Sequence, residues 1–280
     1  MKSWTIFIIL TGLLLQANLF AADIFRSEDE KGTVTFSDKP SQNAQKVQTQ
    51  PQSNRYLHTV TKVYDGDTII LKNGERVRLL GINTPEIESR HRQDETGGQA
   101  AKQWLQDKLS GGQVYLEYDQ QQRDKYKRLL AHCFLPNDEH LNKTILEAGL
   151  ASLSIIPPNT KYSELLISAQ QQAEQAKRGI WSQVEYKPRK ASSLSKGNSK
   201  GWHRLLATAK SIKQGRSYIR LVLSKSVDIR IPMANLDLFP ALESYLGEPL
   251  EIRGWASRSK QHFSILVQHP SAIIVLSHEN

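Results

Sequence analysis

An Asn-Gly dipeptide at positions 73 and 74 constrains the fold of this chain more than any other short feature. It separates two apolar runs of strand length, Thr68 to Lys72 and Arg76 to Leu80. Asn-Gly readily adopts the backbone conformation of a tight hairpin turn, so the sequence predicts a two-stranded hairpin here. Thr59 to Tyr64 alternates between apolar and polar residues, which predicts a third strand directly before the hairpin.

The elements that follow the hairpin predict one compact domain over residues 56–185. The order β-β-β-α-β-β-α-α indicates a mainly β, α+β fold, in which three helices pack on a five-stranded antiparallel barrel. Helical spacing and strand-like alternation place the remaining elements. The helices are predicted at Gln99–Leu109, at Leu141–Ala148 and from Asn159 or Thr160 to about Lys177, and the strands at Val114–Tyr118 and Lys127–Leu135.

The first 22 residues are predicted to be a secretory signal peptide. Lys2 provides a positive start, Thr5 to Leu15 an apolar core, and Ala21-Ala22 small residues for cleavage. The apolar core is too short to span a bilayer. An uncleaved N-terminal anchor is the alternative. With cleavage we expect a secreted or periplasmic protein.

Four further segments flank the predicted barrel. Residues 23–40 contain two short alternating runs, which predict a small hairpin. Residues 41–55 are rich in Gln, Ser and Pro, and residues 186–200 in Lys, Ser and Gly, so both are predicted to be linkers. Residues 201–280 show several strand-like runs and one short predicted helix, and are expected to form a second small β-rich, OB-like domain.

The positive charge of the chain is concentrated at its C-terminal end. The whole sequence has a formal net charge of +9. Residues 58–185 hold 16 Lys and Arg against 17 Asp and Glu, whereas residues 186–280 hold 15 against 6. This asymmetry favours attraction of a polyanion to the C-terminal part. The alternative is that the basic residues only aid solubility.

The sequence does not predict a disulfide or a zinc site. Cys133 is the only cysteine, so an intramolecular disulfide is impossible, and its apolar neighbours predict a small core residue. His132 and His140 belong to no group with zinc-ligand spacing and are interpreted as ordinary core or surface residues.

Oxygen-bearing side chains surround the predicted hairpin. Asp65-Gly66-Asp67-Thr68 precedes its first strand, and Asn83-Thr84-Pro85-Glu86 follows its second. Hairpin pairing brings these oxygens close together, and clustered hard oxygen ligands favour calcium or magnesium. Each segment alone is also typical of an ordinary turn.

Two arginines complete the constellation. Arg78 lies in the second hairpin strand and faces the opposite way from Val77 and Leu79, whereas Arg128 begins a later strand. A guanidinium donates two parallel hydrogen bonds to two oxygens of a phosphate, so the pair suits phosphate binding. The alternative for each is a solvated charge on a strand face or turn.

These segments together carry a family resemblance. The four segments resemble, in order, the staphylococcal nuclease (thermonuclease) family over roughly residues 58–182: Asp65-Gly66-Asp67-Thr68, Arg78 to Glu86, Asp124 to Arg128 and Gly179-Ile180-Trp181. The resemblance implies an OB-fold barrel and a calcium-dependent endonuclease that hydrolyses DNA and RNA and leaves 3′-phosphate ends. Residues 23–40 resemble a short domain of unknown function found behind signal peptides of secreted Gram-negative proteins.

The resemblance assigns a role to each residue of the constellation. Asp67 falls at the position of a metal ligand, Thr84 at that of a backbone-carbonyl ligand, and Asp65 at that of a support for the metal's water shell. Glu86 corresponds to the residue that activates or orients the attacking water. Arg78 and Arg128 correspond to the two catalytic arginines that clamp the phosphate. Lys125 and Tyr126 fall at positions where the family contacts a substrate phosphate.

The chain departs from the family pattern at two places. Asn83 stands where the family usually has a second aspartate ligand, so we expect weaker metal affinity. Residues 151–158 lack the tyrosines that commonly flank the substrate base, and Tyr162 is the one candidate to compensate. A catalytically weakened nucleic-acid-binding protein of the same fold is therefore the alternative function.

The C-terminal segment is predicted to dock nucleic acid. Ile252-Arg253-Gly254-Trp255, with Leu238-Phe239-Pro240 and His269-Pro270, resembles an accessory OB-like domain of some secreted homologues. Trp255 and Phe263 are candidates for stacking on bases, with core packing as the alternative. We expect no obligate protein partner and no membrane association after signal cleavage.

Overall fold

A computed structural model describes residues 24–28, 34–37, 39, 45–47, 54–87, 95–199 and 201–276. The predicted signal peptide lies outside the described residues, as does most of the polar loop that follows Glu86. The chain divides into two compact units, Met1–Ser53 and Asn54–Asn280. Within the described ranges, no helix combines the length and apolar character needed to cross a membrane.

The N-terminal unit contains a small antiparallel sheet. Strands β1 (Ile24–Glu28) and β2 (Val34–Ser37) pair with Phe25 opposite Ser37, as the alternating pattern predicts. A third strand, β3 (Gln45–Val47), pairs with the other edge of β1. Because β3 lies inside residues 41–55, part of the predicted linker has regular structure.

The second unit begins with a closed five-stranded barrel in the order β4-β5-β6-β9-β8, which confirms the predicted fold class. The Asn73-Gly74 hairpin is also confirmed, since Gly74 has a φ of 85° and Asn73 accepts a hydrogen bond from the Glu75 backbone. The pairing differs from the predicted antiparallel barrel at one place, because β6 and β9 pair in parallel where the barrel closes. The barrel strands are β4 (Arg55–Asp65), β5 (Thr68–Leu71), β6 (Arg76–Leu79), β8 (Gln113–Glu117) and β9 (Leu129–Phe134).

Three helices pack against the barrel, as predicted. They are α1 (Gly98–Lys108), α2 (Leu141–Glu147) and α3 (Ser163–Gln175). The start of α3 differs from the prediction, because Asn159 does not cap it. The Asn159 side chain instead accepts a hydrogen bond from the backbone NH of Gln121 at 2.7 Å and donates to its carbonyl at 2.8 Å.

Two short strands that the sequence does not predict lie next to the barrel. Strand β7 (Gly81–Asn83) pairs antiparallel with β10 (Ser152–Ser154), so that Asn83 lies opposite Ser152. Each has only three residues, which is too short for a periodic pattern to reveal. The pair nevertheless determines what lies beside Asn83.

Residues 201–276 form the larger part of a β-rich sheet, in agreement with the predicted second β domain. The strand path is open from β11 to β13, and β15 and β17 are parallel, so within these residues the sheet does not close as the first barrel does. Two 3-10 helices, Met233–Leu238 and Leu242–Tyr245, replace the predicted helix. The strands are β11 (Arg189–Lys190), β12 (Trp202–Thr208), β13 (Ser211–Gln214), β14 (Tyr218–Val222), β15 (Val227–Pro232), β16 (Pro249–Ser259), β17 (His262–Leu266) and β18 (Ile273–Val275).

The predicted linker at residues 186–200 differs from the structure over its described part. β11 pairs with β12, and Ala191 and Leu194 are buried in the core of the C-terminal sheet. Trp181, Tyr186 and Trp202 pack against one another at ring-centroid distances of 5.9–6.2 Å. Aromatic packing therefore holds the barrel and the C-terminal sheet together, although the Lys/Ser/Gly composition favours a linker.

A buried ion-pair network reinforces this junction. Arg253 on β16 donates two hydrogen bonds to Glu174 on α3, at 2.5 and 2.8 Å, and a third to Glu251 at 2.6 Å. Arg204 adds a bidentate pair with Glu251. Burial opposes ionisation of Glu251, but the two guanidiniums outweigh it and lower its pKa. The network fixes the C-terminal sheet against helix α3.

Two histidines are buried in contact with each other, rather than isolated as their sequence positions indicate. Nε2 of His140 and Nδ1 of His132 are 3.2 Å apart, and His140 stacks on Phe134. Burial lowers the pKa of His132 to about 4 and that of His140 to about 3, the latter aided by repulsion from His132. Cys133 is buried, as predicted.

This cluster predicts acid sensitivity. Unfolding restores a histidine pKa near 6.5, so the unfolded chain binds protons first and stability falls as the pH decreases from about 6.5 toward the folded-state values. At pH 5 each neutral buried histidine costs on the order of 2 kcal/mol. In His140→Phe, which keeps a ring against Phe134, the stability lost between pH 7.5 and pH 5 should shrink by about this amount. Denaturant unfolding at both pH values measures it, and an unchanged loss would contradict the assignment.

Candidate phosphate and metal site

The Asp67 carboxylate is the centre around which the predicted constellation assembles. It is buried at the start of β5. Oδ1 accepts from the Thr68 hydroxyl at 3.0 Å, and Oδ2 accepts from the backbone NH of Thr84 at 3.0 Å. These bonds tie the turn before β5 to the residues that follow β7.

Arg78 joins the same carboxylate to Asn83. Its Nη1 lies 2.9 Å from Oδ2 of Asp67, and its Nη2 donates to Oδ1 of Asn83 at 3.2 Å. The Asn83 amide donates in turn to the backbone carbonyl of Thr84 at 2.9 Å. The structure thus brings together four of the predicted site residues at one end of the hairpin: Asp67, Arg78, Asn83 and Thr84.

Asp65 completes this group from the other side of the turn. Its Oδ1 accepts from the backbone NH of Asp67 at 3.1 Å. Burial raises the pKa of Asp65 to about 7, and repulsion by Asp67 contributes to this rise. The positive charge of Arg78 acts in the opposite direction and lowers this pKa. Two neighbouring carboxylates with one guanidinium nearby form an environment that a further cation would stabilise.

Glu86 lies on the exposed loop after β7. Its backbone NH donates to Oε2 of Glu95 at 3.0 Å, and its carbonyl accepts from the backbone NH of Glu95 at 2.8 Å. Glu95 therefore holds the backbone of Glu86 in place. The sequence offers no signal for this role, because the two residues are separated by an unpatterned loop.

Arg128 is held in place by Asp124 in the turn before β9. Its Nε and Nη2 both lie 2.8 Å from Oδ2 of Asp124, while its backbone NH donates to Oδ1 at 3.0 Å. Burial opposes ionisation of Asp124, but these bonds outweigh it and lower its pKa. Lys125 and Tyr126 are exposed at the tip of the same turn.

The strand register places Arg128 close to Arg78 along the barrel wall. Arg78 pairs with Leu130 in the parallel β6–β9 ladder, and Arg128 precedes Leu130 by two residues. The turn that carries Arg128 therefore leads into the strand that lies directly beside Arg78. The sequence alone does not establish this pairing.

The oxygen donors of the site fit a hard divalent cation. Asp67 and Asp65 supply carboxylates, Asn83 an amide oxygen, and Thr84 a carbonyl with a second lone pair. The Thr84 hydroxyl is buried and makes no hydrogen bond within the described part of the chain. Across the same residues, His, Cys, Asp and Glu form no group of three or more that could hold a metal. The donor set thus suits calcium or magnesium, with fewer charges than a tight site would have.

Four residues that sequence reasoning did not assign also shape the site. Each positions a predicted residue through a hydrogen bond. Only Asp124 could have been found from the sequence, because it is a carboxylate four residues before Arg128. The four are Thr68 on Asp67, Glu95 on Glu86, Asp124 on Arg128, and Ser152, whose hydroxyl donates to the Asn83 carbonyl at 3.3 Å.

Comparison with known proteins supports the resemblance found in the sequence. The family model described as staphylococcal nuclease homologue matches residues 76–183, and a domain of unknown function, DUF4124, matches residues 12–55. A thermonuclease of Staphylococcus intermedius is 36% identical over 176 residues, covering 62% of this chain and 97% of that protein.

Two further relatives extend this comparison. A thermonuclease of Staphylococcus hyicus is 37% identical over 133 residues, covering 46% of this chain and 78% of that protein. The endonuclease YncB of Bacillus subtilis is 34% identical over 160 residues, covering 54% of this chain and 75% of that protein. The similarity therefore spans most of the length of each relative.

The close packing of the Asp65–Asp67 turn predicts a requirement for Gly66. A Cβ at this position would lie 2.6 Å from Cβ of Ala101 on α1 and 2.8 Å from Cγ2 of Thr84. Gly66→Ala should therefore displace the turn, destabilise the protein by about 1–3 kcal/mol and weaken cation binding. Gly111→Ala is the matched control, because nothing lies within 4 Å of its added Cβ. Denaturant unfolding and calcium calorimetry measure both variants. Equal behaviour of the two would contradict the packing argument.

Proposed function

The chain belongs to the staphylococcal nuclease family, and from this premise we propose that it is a secreted, calcium-dependent endonuclease. It would hydrolyse phosphodiester bonds of DNA and RNA and leave 3′-phosphate ends. Two relatives are named thermonucleases and a third an endonuclease, which supports a hydrolytic nuclease activity for this chain. The predicted signal peptide supports secretion to the periplasm or the medium.

One observation carries the proposal: a buried carboxylate, an amide oxygen and a guanidinium meet at a single point. Arg78 contacts both Asp67 and Asn83 directly. Metal-assisted hydrolysis of a phosphodiester uses oxygen ligands for a cation beside hydrogen-bond donors for the phosphate. Asp67, Asn83 and the Thr84 carbonyl would hold calcium, with Asp65 supporting its water shell.

The side chains have separate roles in the proposed reaction. When bound, calcium would polarise the phosphate and offset part of its charge. Glu86 would accept the proton of the attacking water, because it follows Thr84 by two residues on the exposed loop that leaves this point. Arg78 and Arg128 would donate hydrogen bonds to the phosphate oxygens as negative charge increases in the transition state. Lys125 and Tyr126, exposed in the turn before Arg128, would contact a neighbouring phosphate.

A catalytically weakened nucleic-acid-binding protein remains the second candidate. The observation in its favour is Asn83, which supplies an uncharged oxygen that already accepts a hydrogen bond from Arg78. The observations against it are the intact contacts of Arg78 and Arg128. The two candidates differ in whether nucleic acid is cleaved when calcium is added and left intact with a chelator.

The charge deficit at Asn83 is directly testable. A carboxylate near the cation would contribute up to about 4 kcal/mol at an effective dielectric constant near 20, less its desolvation cost. Asn83→Asp should therefore tighten calcium binding by about one to two orders of magnitude, measured by calorimetry on the protein without nucleic acid. Asn73→Asp adds the same charge at the distant end of the hairpin and should leave calcium affinity unchanged. An equal affinity for wild type and Asn83→Asp would exclude Asn83 as a ligand.

The role of Glu86 predicts a loss of turnover. Removal of a positioned general base reduces rates by about 10²–10⁴-fold, so Glu86→Gln should lower cleavage of DNA in calcium by this factor. Glu95→Gln keeps an acceptor for the Glu86 backbone and serves as the control with near-normal activity. Full activity of Glu86→Gln would remove this residue from the mechanism. No cleavage by wild type in calcium would instead favour the binding protein.

A further inference from the structure

A cleft lies between strand β10 of the first domain and the C-terminal sheet. It encloses about 230 Å³, and its lining includes Ser154 and Ile156 on one side and Trp255 and Leu266 on the other. Three of these side chains are exposed: Ile156 at 51%, Trp255 at 43% and Leu266 at 40%. Large apolar side chains exposed together in one cleft indicate a binding surface.

Trp255 is available in this cleft as a flat surface. Its strand partner Trp202 packs against Trp181 and Tyr186, whereas Trp255 makes no ring contact among the described residues. Phe263, the other aromatic residue that the sequence marks as a stacking candidate, is buried in the sheet core. The structure thus separates the two candidates and leaves Trp255 as the accessible one.

A row of cations leads across the sheet to the same cleft. Lys213 pairs with Arg220, Arg220 with Arg230, and Arg230 with Leu266, on four successive strands. Directly paired residues project from the same face, so the three cations and Leu266 share one face. Arg220 forms an ion pair with Asp228, whereas Lys213 and Arg230 have no carboxylate partner within the described residues.

From these features we propose that this face of the C-terminal sheet binds single-stranded nucleic acid. A base would stack on Trp255 inside the cleft, and the sugar-phosphate backbone would follow the row from Arg230 to Lys213. Cationic grooves beside aromatic platforms are the features by which proteins bind single strands, and each stacked base contributes about 1–3 kcal/mol. The net charge of +9 in residues 186–280 complements a polyanion.

The position of the cleft links this path to the phosphate site. Ser152 pairs with Asn83, and Ser154, two residues further along β10, lines the cleft. Two residues of a strand span ~7 Å, so one wall of the cleft lies about that distance along β10 from the residue paired with Asn83. This inference rests on the proposed function, because the nuclease site sets the direction in which the bound nucleic-acid strand would run. It also provides a base contact where residues 151–158 lack tyrosine, since the Tyr162 hydroxyl donates to Glu117 instead.

A single strand is favoured over a duplex by the shape of the site. A base can lie flat on Trp255 only when its face is free, and the faces of bases in a duplex are covered by their neighbours. The cleft is also bounded on two sides, by β10 and by the sheet. We therefore expect a fluorescent twelve-nucleotide thymidine strand to bind more tightly than a duplex of twelve base pairs.

The experiment measures binding by the full chain in a chelator, so that no cleavage occurs. Trp255→Leu should weaken binding of the single strand at least five-fold, the lower end of one stacking contact. Trp255→Phe keeps an aromatic face and should recover most of the affinity. Tyr56→Ala removes an aromatic side chain that is 57% exposed on the barrel, and should have no effect.

The cations are tested through the salt dependence of binding. Lys213→Gln with Arg230→Gln should reduce the slope of log affinity against log salt by about 1.4, since each phosphate contact to a single strand contributes about 0.7. Lys62→Gln with Lys72→Gln removes the same charge from exposed positions on the barrel and should leave the slope nearly unchanged. An equal reduction in both pairs would refute a specific path.

The outcomes separate this inference from the proposed function. Unchanged binding by Trp255→Leu, or an equal loss of affinity for single strand and duplex, would overturn the proposed single-strand binding path. This holds whether or not the protein is a nuclease. Hydrolysis of bis(nitrophenyl) phosphate, an ester that carries no base to stack on Trp255, tests the nuclease site alone. Trp255→Leu should hydrolyse this ester at the wild-type rate. Loss of ester hydrolysis in Trp255→Leu would show that the substitution disturbs the fold instead.

Discussion

The site depends on the buried carboxylate of Asp67. A buried carboxylate is stable only when its oxygens are hydrogen-bonded or paired with a cation, and here Thr68, Thr84 and Arg78 meet that need. These three partners come from the first hairpin strand, from the residues after β7 and from the second hairpin strand. A single carboxylate therefore holds together the three segments that would bind the cation and the phosphate.

The balance of charge around Asp67 explains why Asn83 matters. Two aspartates already face each other across the turn, and the pKa of Asp65 is raised to about 7 by burial and by this repulsion. An asparagine limits further repulsion while still offering an oxygen that lies next to Arg78. The same uncharged side chain should reduce the attraction for a cation. We therefore expect a site that folds more easily without metal and binds it more weakly.

The C-terminal sheet belongs to the same compact unit as the barrel. The ion pairs between Glu174 and Arg253 and the packing of Trp181 on Trp202 join the two over buried surface. A flexible tether would leave the distance between the phosphate site and the basic face undefined. A rigid junction instead gives the cleft beside β10 a defined shape. Trp255 can then contact the same nucleic-acid strand that the proposed phosphate site would bind.

The sequence by itself determined the elements of the barrel and the residue types of the site. Hairpin signals and helical spacing are local, and Asn73-Gly74 or the run Gln99–Leu109 needs no distant partner to be recognised. The family resemblance rested on short segments whose order is also local information. The domain boundaries and the roles assigned to the site residues remain predictions.

Only the tertiary structure decided which distant residues lie in contact with one another. The sequence did not reveal the strands β7 and β10, the packing of residues 186–199, or the contact between His132 and His140, because each depends on a partner far along the chain. The same holds for the closeness of the Arg128 turn to the strand that carries Arg78, which follows from parallel pairing of β6 and β9. Composition records which groups a chain contains, whereas their distances are decided by long-range packing.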